Sequence, residues 1–346
     1  MSTMKTTTIR YPSADGTSTI RALLWEPDDP PAAPADGGST PASAAAAAPT
    51  SAAGAAPAPA PAPRPRAVVQ IVHGMAEHVE RYTKFAAYLV DHGFVVCAED
   101  HVGHGKSVSS PEDLGHIPLK AGEDILMDDV HALRRQVMER YEGVPYVLFG
   151  HSMGSYMARV YLTRHPEGVE AAIICGTGQT SPVLCGLGRA LIQIIRLFKG
   201  ERYRSKLVDS MSTGSYLKGI ENPRTSVDWI CTDPAVCDAY VADPLAGQMF
   251  TLGGYNTLMK FVQHSQKAKL TARIPKSLPM FFIAGSEDPV GECGKGVDRA
   301  VEQYREAGIE VVDEKIYQGY RHEVLNEPIG PEVMDDIDRW LQEQGV

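Results

Sequence analysis

The stretch Tyr146-Val147-Leu148-Phe149-Gly150-His151-Ser152-Met153-Gly154-Ser155-Tyr156-Met157-Ala158 constrains this chain most. A short apolar run ends in Gly-x-Ser-x-Gly and passes directly into a segment with helical spacing, the strand-turn-helix setting of a nucleophile elbow. A serine hydroxyl is a poor nucleophile until a base takes its proton, and a sharp turn lifts Ser152 above a sheet end where a histidine can reach it. Gly150 and Gly154 leave room where a side chain would clash. The bare pentapeptide is more often only a glycine-rich loop; the flanking residues and the order of the acid and histidine loops downstream decide against that here.

Around the elbow, short apolar runs alternate with helical patterns. Residues 6–11 and 19–26 read as an opening hairpin about the turn signal Asp15-Gly16. Strands are expected at 67–72, 94–98, 146–151 and 171–175, with helices over 82–92 and 122–141. The strand-helix rhythm resumes at 278–284, then a helix at 297–307, a strand at 310–317 and a last helix near 331–342. Such alternation predicts an α/β fold, a mostly parallel central sheet with helices on both faces. Two segments depart from it. From 27 to 66 the chain turns to Ala, Pro, Gly and Ser, which cannot bury enough apolar surface to offset its ordering entropy and favours extended polyproline II; it reads as a disordered insertion between the second and third strands. From 178 to 272 there are helical patterns but no buried strand, as in a helical cap set over the sheet. The core is then 1–26, 67–177 and 273–346.

With 346 residues, 43% hydrophobic and 22% charged, the chain has apolar material for one large elaborated domain. Its formal charge of -10 argues against nucleic acid, which needs a surplus of lysine and arginine. The six cysteines have no Cys-x-x-Cys spacing, so a reducing cytoplasmic setting is expected. No run approaches the ~18 apolar residues of a membrane span. Within 184–206, however, Leu184, Leu187, Leu191, Ile194, Ile195 and Phe198 repeat at helical spacing, and six basic residues against Glu201 give a local charge of +5. A basic amphipathic helix of this kind lies on a membrane surface, meets a lipid substrate, or is simply packed onto the sheet domain.

Ester hydrolysis by serine needs a base, an acid that orients the base, and donors for the oxyanion. Ser152, Asp288 and His322 supply nucleophile, acid and base in the order Ser, Asp, His, each just after an expected strand. Glu287, Asp313 and Glu314 are rivals to Asp288. The oxyanion donors are expected to be the backbone N–H groups of Met153 and of Met75, which follows His73-Gly74. His101 and His104 beside Asp100 could pass for metal ligands, but no further ligand at suitable spacing completes a site, so no metal is expected.

His73-Gly74-x-x-Glu77-His78 with Arg81-Tyr82, Asp100-His101-Val102-Gly103-His104-Gly105-x-Ser107, Gly150-His151-Ser152-Met153-Gly154, and the Asp288 and His322 loops together resemble the monoacylglycerol lipase and lysophospholipase-like branch of the α/β-hydrolases, also called serine aminopeptidase S33-like. The resemblance implies a cofactor-free serine hydrolase that cleaves a small-molecule acyl ester, a monoacylglycerol or lysophospholipid, through an acyl-enzyme. A peptidase or amidase is the second reading. A non-catalytic protein of the same fold is the third, and the intact Ser152, Asp288 and His322 count against it. The Ala/Pro insertion departs from the family pattern, and the residues of 178–272 that would select the acyl chain match it least.

Overall fold

A computed structural model describes residues 4–28 and 64–346. Most of the Ala/Pro-rich insertion lies outside the described residues. Its flanks do not: β2 (Thr19–Pro27) runs antiparallel to β4 (Val95–Asp100) with Trp25 opposite Val96, so Pro27 sits beside the start of β4, at the amino edge of the parallel strands. Arg66 is held at the same edge by its N–H bond to the Gly93 carbonyl.

Eight strands form one sheet in the order β1-β2-β4-β3-β5-β6-β7-β8. β1 (Met4–Pro12) and β2 make the antiparallel hairpin; β3 (Val68–Val72), β4, β5 (Tyr146–His151), β6 (Ala171–Cys175), β7 (Met280–Gly285) and β8 (Val312–Tyr317) are mutually parallel. Strands β3 to β7 are buried along their whole length, as their continuous apolar runs require when both faces are covered.

The two-residue period of a strand divides those side chains between two cores. Val68, Val72, Tyr146, Leu148, Ala172, Ile174, Met280 and Phe282 pack with α2 (Gly122–Arg140), α3 (Met153–Tyr161) and α9 (Lys295–Glu306). Val69, Ile71, Val147, Phe149, Ile173, Phe281 and Ile283 pack with α1 (Thr83–Asp91) and α10 (Gly330–Glu343) on the other face. Each large side chain so buried contributes roughly 1.5–3 kcal/mol. A parallel sheet puts all its carboxyl ends on one edge, where ligands bind in open α/β sheets. The loops carrying Ser152, Asp288 and His322 all leave that edge.

Between β6 and β7 the chain forms α4 (Pro182–Lys199), α5 (Lys206–Ser212), α6 (Pro234–Ala242), α7 (Leu252–Ser265) and α8 (Ala268–Thr271), with no strand. α7 packs on α3 and α2, and α4 packs on α7, so this helical segment rises in tiers from the elbow helix. No helix among the described residues is long and apolar enough to cross a membrane. All six cysteines are free thiols, five of them buried.

Candidate active site

Ser152 occupies φ 55°, ψ −121°, a conformation that costs a non-glycine residue on the order of 1–3 kcal/mol, between the end of β5 and the start of α3. Its neighbours make that turn possible. A Cβ on Gly154 would stand 1.9 Å from the Val72 carbonyl oxygen, so α3 can start against β3 only with glycine there. Gly150 has the same need, with the Gly154 carbonyl 2.4 Å from where its Cβ would be. At Gly74 a side chain would meet the Cβ of Ser152 itself at 2.9 Å. The His73-Gly74-Met75 loop therefore lies directly against the serine.

Asp288 and His322 are both buried, and His322 Nδ1 lies 3.0 Å from Asp288 Oδ2. The other carboxylate oxygen accepts the Val290 N–H at 2.9 Å, which fixes the acid in its loop. Since the ionised carboxylate only accepts, Nδ1 carries the proton and Nε2 is left as the acceptor. That Nε2 is buried and has no hydrogen-bond partner among the described residues. His322 and Ser152 both line a cavity of about 620 Å³, together with Met75, Met153, Tyr156, Leu258, Met259 and Val262. Neither the Met75 N–H nor the Met153 N–H donates a hydrogen bond among the described residues. Of the rivals to Asp288, Glu287 is exposed and faces Arg321, while Asp313 accepts the indole N–H of Trp340 and lies on β8. Glu314 is also on β8, pushed up to about 7 by burial and then by Asp298.

A buried polar network supports the site, and the sequence motifs contain its members without giving them a task. Glu77 accepts the Gly74 N–H at 2.5 Å and the Tyr82 hydroxyl at 2.8 Å; its second oxygen pairs with Arg81 at 2.9 Å. Arg81 makes a two-pronged pair with Glu323, the residue after His322, at 2.7 Å on each prong. His151, the variable residue of the elbow, lies 3.3 Å from Glu77 and 2.9 Å from the Tyr82 oxygen through Nδ1. Burial disfavours the charged form of both Glu77 and His151, yet their mutual hydrogen bond and attraction outweigh it, so the carboxyl sits well below its usual range and the imidazole above its own. The network ties the His73-Gly74-Met75 loop, the elbow and the loop that carries His322 into one unit. The available sequence signal was an acid four positions before Arg81.

His73, His101 and His104 form a second cluster behind the loop. His73 stacks on His101 with ring centroids 4.0 Å apart and meets His104 at 5.2 Å. Burial holds all three below the ordinary histidine range, His101 at about 4 and His73 and His104 well below their usual value. As a neutral ring, His73 donates from Nδ1 to the Gly74 carbonyl and accepts the His101 N–H on Nε2. The one group whose ligand atoms converge for a metal among the described residues is His78, Glu80 and Asp100. Arg21 already bridges Glu80 and Asp100, Lys106 pairs with Glu80, and His78 bonds Glu80 and Asp243, so local cations compensate these acids.

The family model described as serine aminopeptidase, S33 matches residues 63–329. The chain belongs to that family. This S33-family chain is 29% identical over 289 residues to the monoacylglycerol lipase of Mycolicibacterium smegmatis, covering 79% of this chain and 87% of the lipase. It is 25% identical over 291 residues to the monoglyceride lipase of Homo sapiens, covering 80% and 83%. Among solved structures, a highly thermostable carboxyl esterase from Bacillus coagulans in complex with glycerol matches with a TM-score of 0.80 at 29% identity, covering 99% of this chain and 100% of that one. The α/β-hydrolase fold and the monoacylglycerol lipase-like branch implied by the sequence motifs both hold.

Proposed function

We propose that this carboxylic ester hydrolase cleaves monoacylglycerol-like lipid esters, with Ser152 as nucleophile, His322 as base and Asp288 as the acid that orients it. The observation that carries the reading is the unpartnered, buried Nε2 of His322, a residue that lines, with Ser152, one largely apolar cavity of about 620 Å³. That volume is in the range of small-molecule sites, and its methionine and leucine lining suits an acyl chain. Nε2 takes the Ser152 proton as Oγ attacks the acyl carbon; the N–H groups of Met75 and Met153 receive the oxyanion. Collapse expels the glycerol, which takes the proton from His322 as it leaves. Water, deprotonated by the same nitrogen, then releases the fatty acid from Ser152. None of these steps calls on a cofactor.

In this reading 178–272 is the cap, and its first helix is the contact with lipid. Cys185, Gly188 and Ile192 of α4 face inward, whereas Leu184, Leu187, Ile194, Leu197 and Phe198 are exposed, Phe198 at 81%. The apolar stripe is thus uncovered along one edge, while Leu191 and Ile195 are half-buried and Ile195 packs against the core. Leu184 and Leu187 also line the cavity, so the exposed face runs into its mouth. With Arg196, Lys199 and Arg202 beside it, this face suits a lipid surface at which the substrate is taken up.

A panel of monoacylglycerols, lysophospholipids, p-nitrophenyl esters and aminoacyl amides tests the reading. Monoacylglycerol turnover well above that of lysophospholipids is expected. Amide cleavage as fast as ester cleavage would favour a peptidase instead. Of the carboxylates at the cavity wall that a peptide's ammonium would need, Glu77 and Glu323 are already tied by Arg81, and Asp209 accepts the Tyr255 hydroxyl.

A further inference from the structure

We propose that Trp229, delivered from the helical segment, is a positioning residue for His322, holding the imidazole so that Nδ1 meets Asp288 while Nε2 stays free of any other partner. This rests on the assignment of Ser152, His322 and Asp288 as nucleophile, base and acid. The bond to Asp288 fixes one atom of the ring, and rotation about that contact is limited only by what packs on it. Two rings do so. The His151 ring lies 4.8 Å from that of His322 with the planes at 40°, and the Trp229 ring lies 5.1 Å away at 42°. His151 is itself fixed by Glu77 and Tyr82. Trp229 is backed by Tyr216, with ring centroids 4.7 Å apart.

The backbone on both sides of Trp229 is strapped to the loop that bears His322. Arg321 Nη1 donates to the Asp228 carbonyl at 2.7 Å and to the Cys231 carbonyl at 3.1 Å. The Glu323 N–H donates to the Ile230 carbonyl at 2.7 Å. Buried Glu327 accepts the Thr232 N–H at 2.9 Å and 3.0 Å on its two oxygens, and the Arg321 N–H at 2.8 Å. Residues 228–232 therefore travel with the histidine loop, whatever the rest of the helical segment does. An aromatic face near the imidazole also favours the positive charge that forms on it at each proton transfer.

The rival account is that Trp229 is only cavity wall, since it does line the cavity. Trp229→Ala, Trp229→Leu and Trp229→Phe, assayed on p-nitrophenyl acetate and p-nitrophenyl decanoate beside His322→Ala, separate the two. A misplaced catalytic group costs about 10²-fold in rate. The expected result is a kcat loss of that order for Trp229→Ala on both esters, with KM little changed, and recovery of most of it in Trp229→Phe. Trp229→Leu keeps an apolar contact but no ring, so it should show the loss even if the alanine variant does not fold. A rise in KM for decanoate alone, with kcat on acetate intact, would overturn the proposal and leave the catalytic assignment standing. Retained turnover in His322→Ala would overturn both.

Discussion

The carboxyl edge of the sheet and the helical segment above it differ in how their residues are held. At the edge, Asp288 is 0% exposed and His322 2%, and Asp288 is held between the Val290 N–H of its own loop and the imidazole of His322. On α4, Leu197 is 74% exposed and Phe198 81%. Bond-making chemistry needs groups placed to a fraction of an ångström, which only a closed, mutually braced network supplies. Meeting a lipid chain or surface needs apolar area, which tolerates many side chains and geometries. The two regions should therefore respond to mutation in opposite ways.

The sharpest contrast is at the acid. Asp288→Asn should lower kcat by about 10⁴-fold while leaving the fold intact, because the amide supports the wrong imidazole tautomer; stopped ester assays and a thermal melt check both parts. An acid as replaceable as Glu287, which faces solvent, would show no such loss. Next comes the bracing. Glu77→Gln removes the anion shared by Arg81 and His151, and breaking a buried pair of this kind costs about 3–5 kcal/mol. Denaturant unfolding measures it, and a change below about 1 kcal/mol would mean that the network is slack.

The pH dependence of stability also belongs to the core side. Glu99, which accepts the Tyr11 hydroxyl, is pushed up to about 8 by burial, and Asp129 is pushed up to about 7 by burial and then by Glu99. The folded protein holds these protons where the unfolded chain, with carboxyls near pH ~4, has released them. Their contribution is thus complete below about pH 4 and is lost as the pH rises toward about 8. The buried histidines held low, His73, His101 and His104, oppose this only below about pH 6.5, where the unfolded chain would gain their protons. Melting temperature should therefore fall between about pH 6.5 and about 8, and Glu99→Gln should flatten the fall; a wild-type midpoint that climbs over that range would contradict the burial of these carboxyls. The smallest effect on stability is expected at α4. Phe198→Ser and Leu197→Ser should leave unfolding unchanged within about 0.5 kcal/mol, as exposed sites do. Vesicle binding, by contrast, should weaken by roughly tenfold per residue, the value of one buried apolar side chain. Equal binding to vesicles by the variants would remove the lipid-contact role of this helix.

The same division governs what could be read from the sequence. The strands show because β3, β5, β6 and β7 are almost wholly apolar, with Gln70 of β3 and the terminal His151 of β5 as exceptions, and the order Ser152, Asp288, His322 shows because each lies beyond the end of a strand. Strand ends were displaced by a residue or two where a polar tail continues the ladder, as at Glu99 and Asp100 of β4. The network of Glu77, Arg81, Tyr82 and His151 is only partly legible, because the bonds that close it join residues far apart in the chain, 74 positions for Glu77 and His151 and 242 for Arg81 and Glu323. Trp229 was invisible for the same reason: no local pattern relates it to His322, 93 positions later in the chain. For α4, helical spacing revealed one apolar stripe but not what lies against it, since that depends on α7 occupying the opposite side.

The measurement closest to the central claim is labelling by a fluorophosphonate probe, read by mass at the peptide level alongside monoacylglycerol turnover. One adduct on Ser152 is predicted, with Ser152→Ala losing both the adduct and turnover by roughly 10⁶-fold while still folding. An adduct on another residue, or turnover surviving in Ser152→Ala, would contradict it.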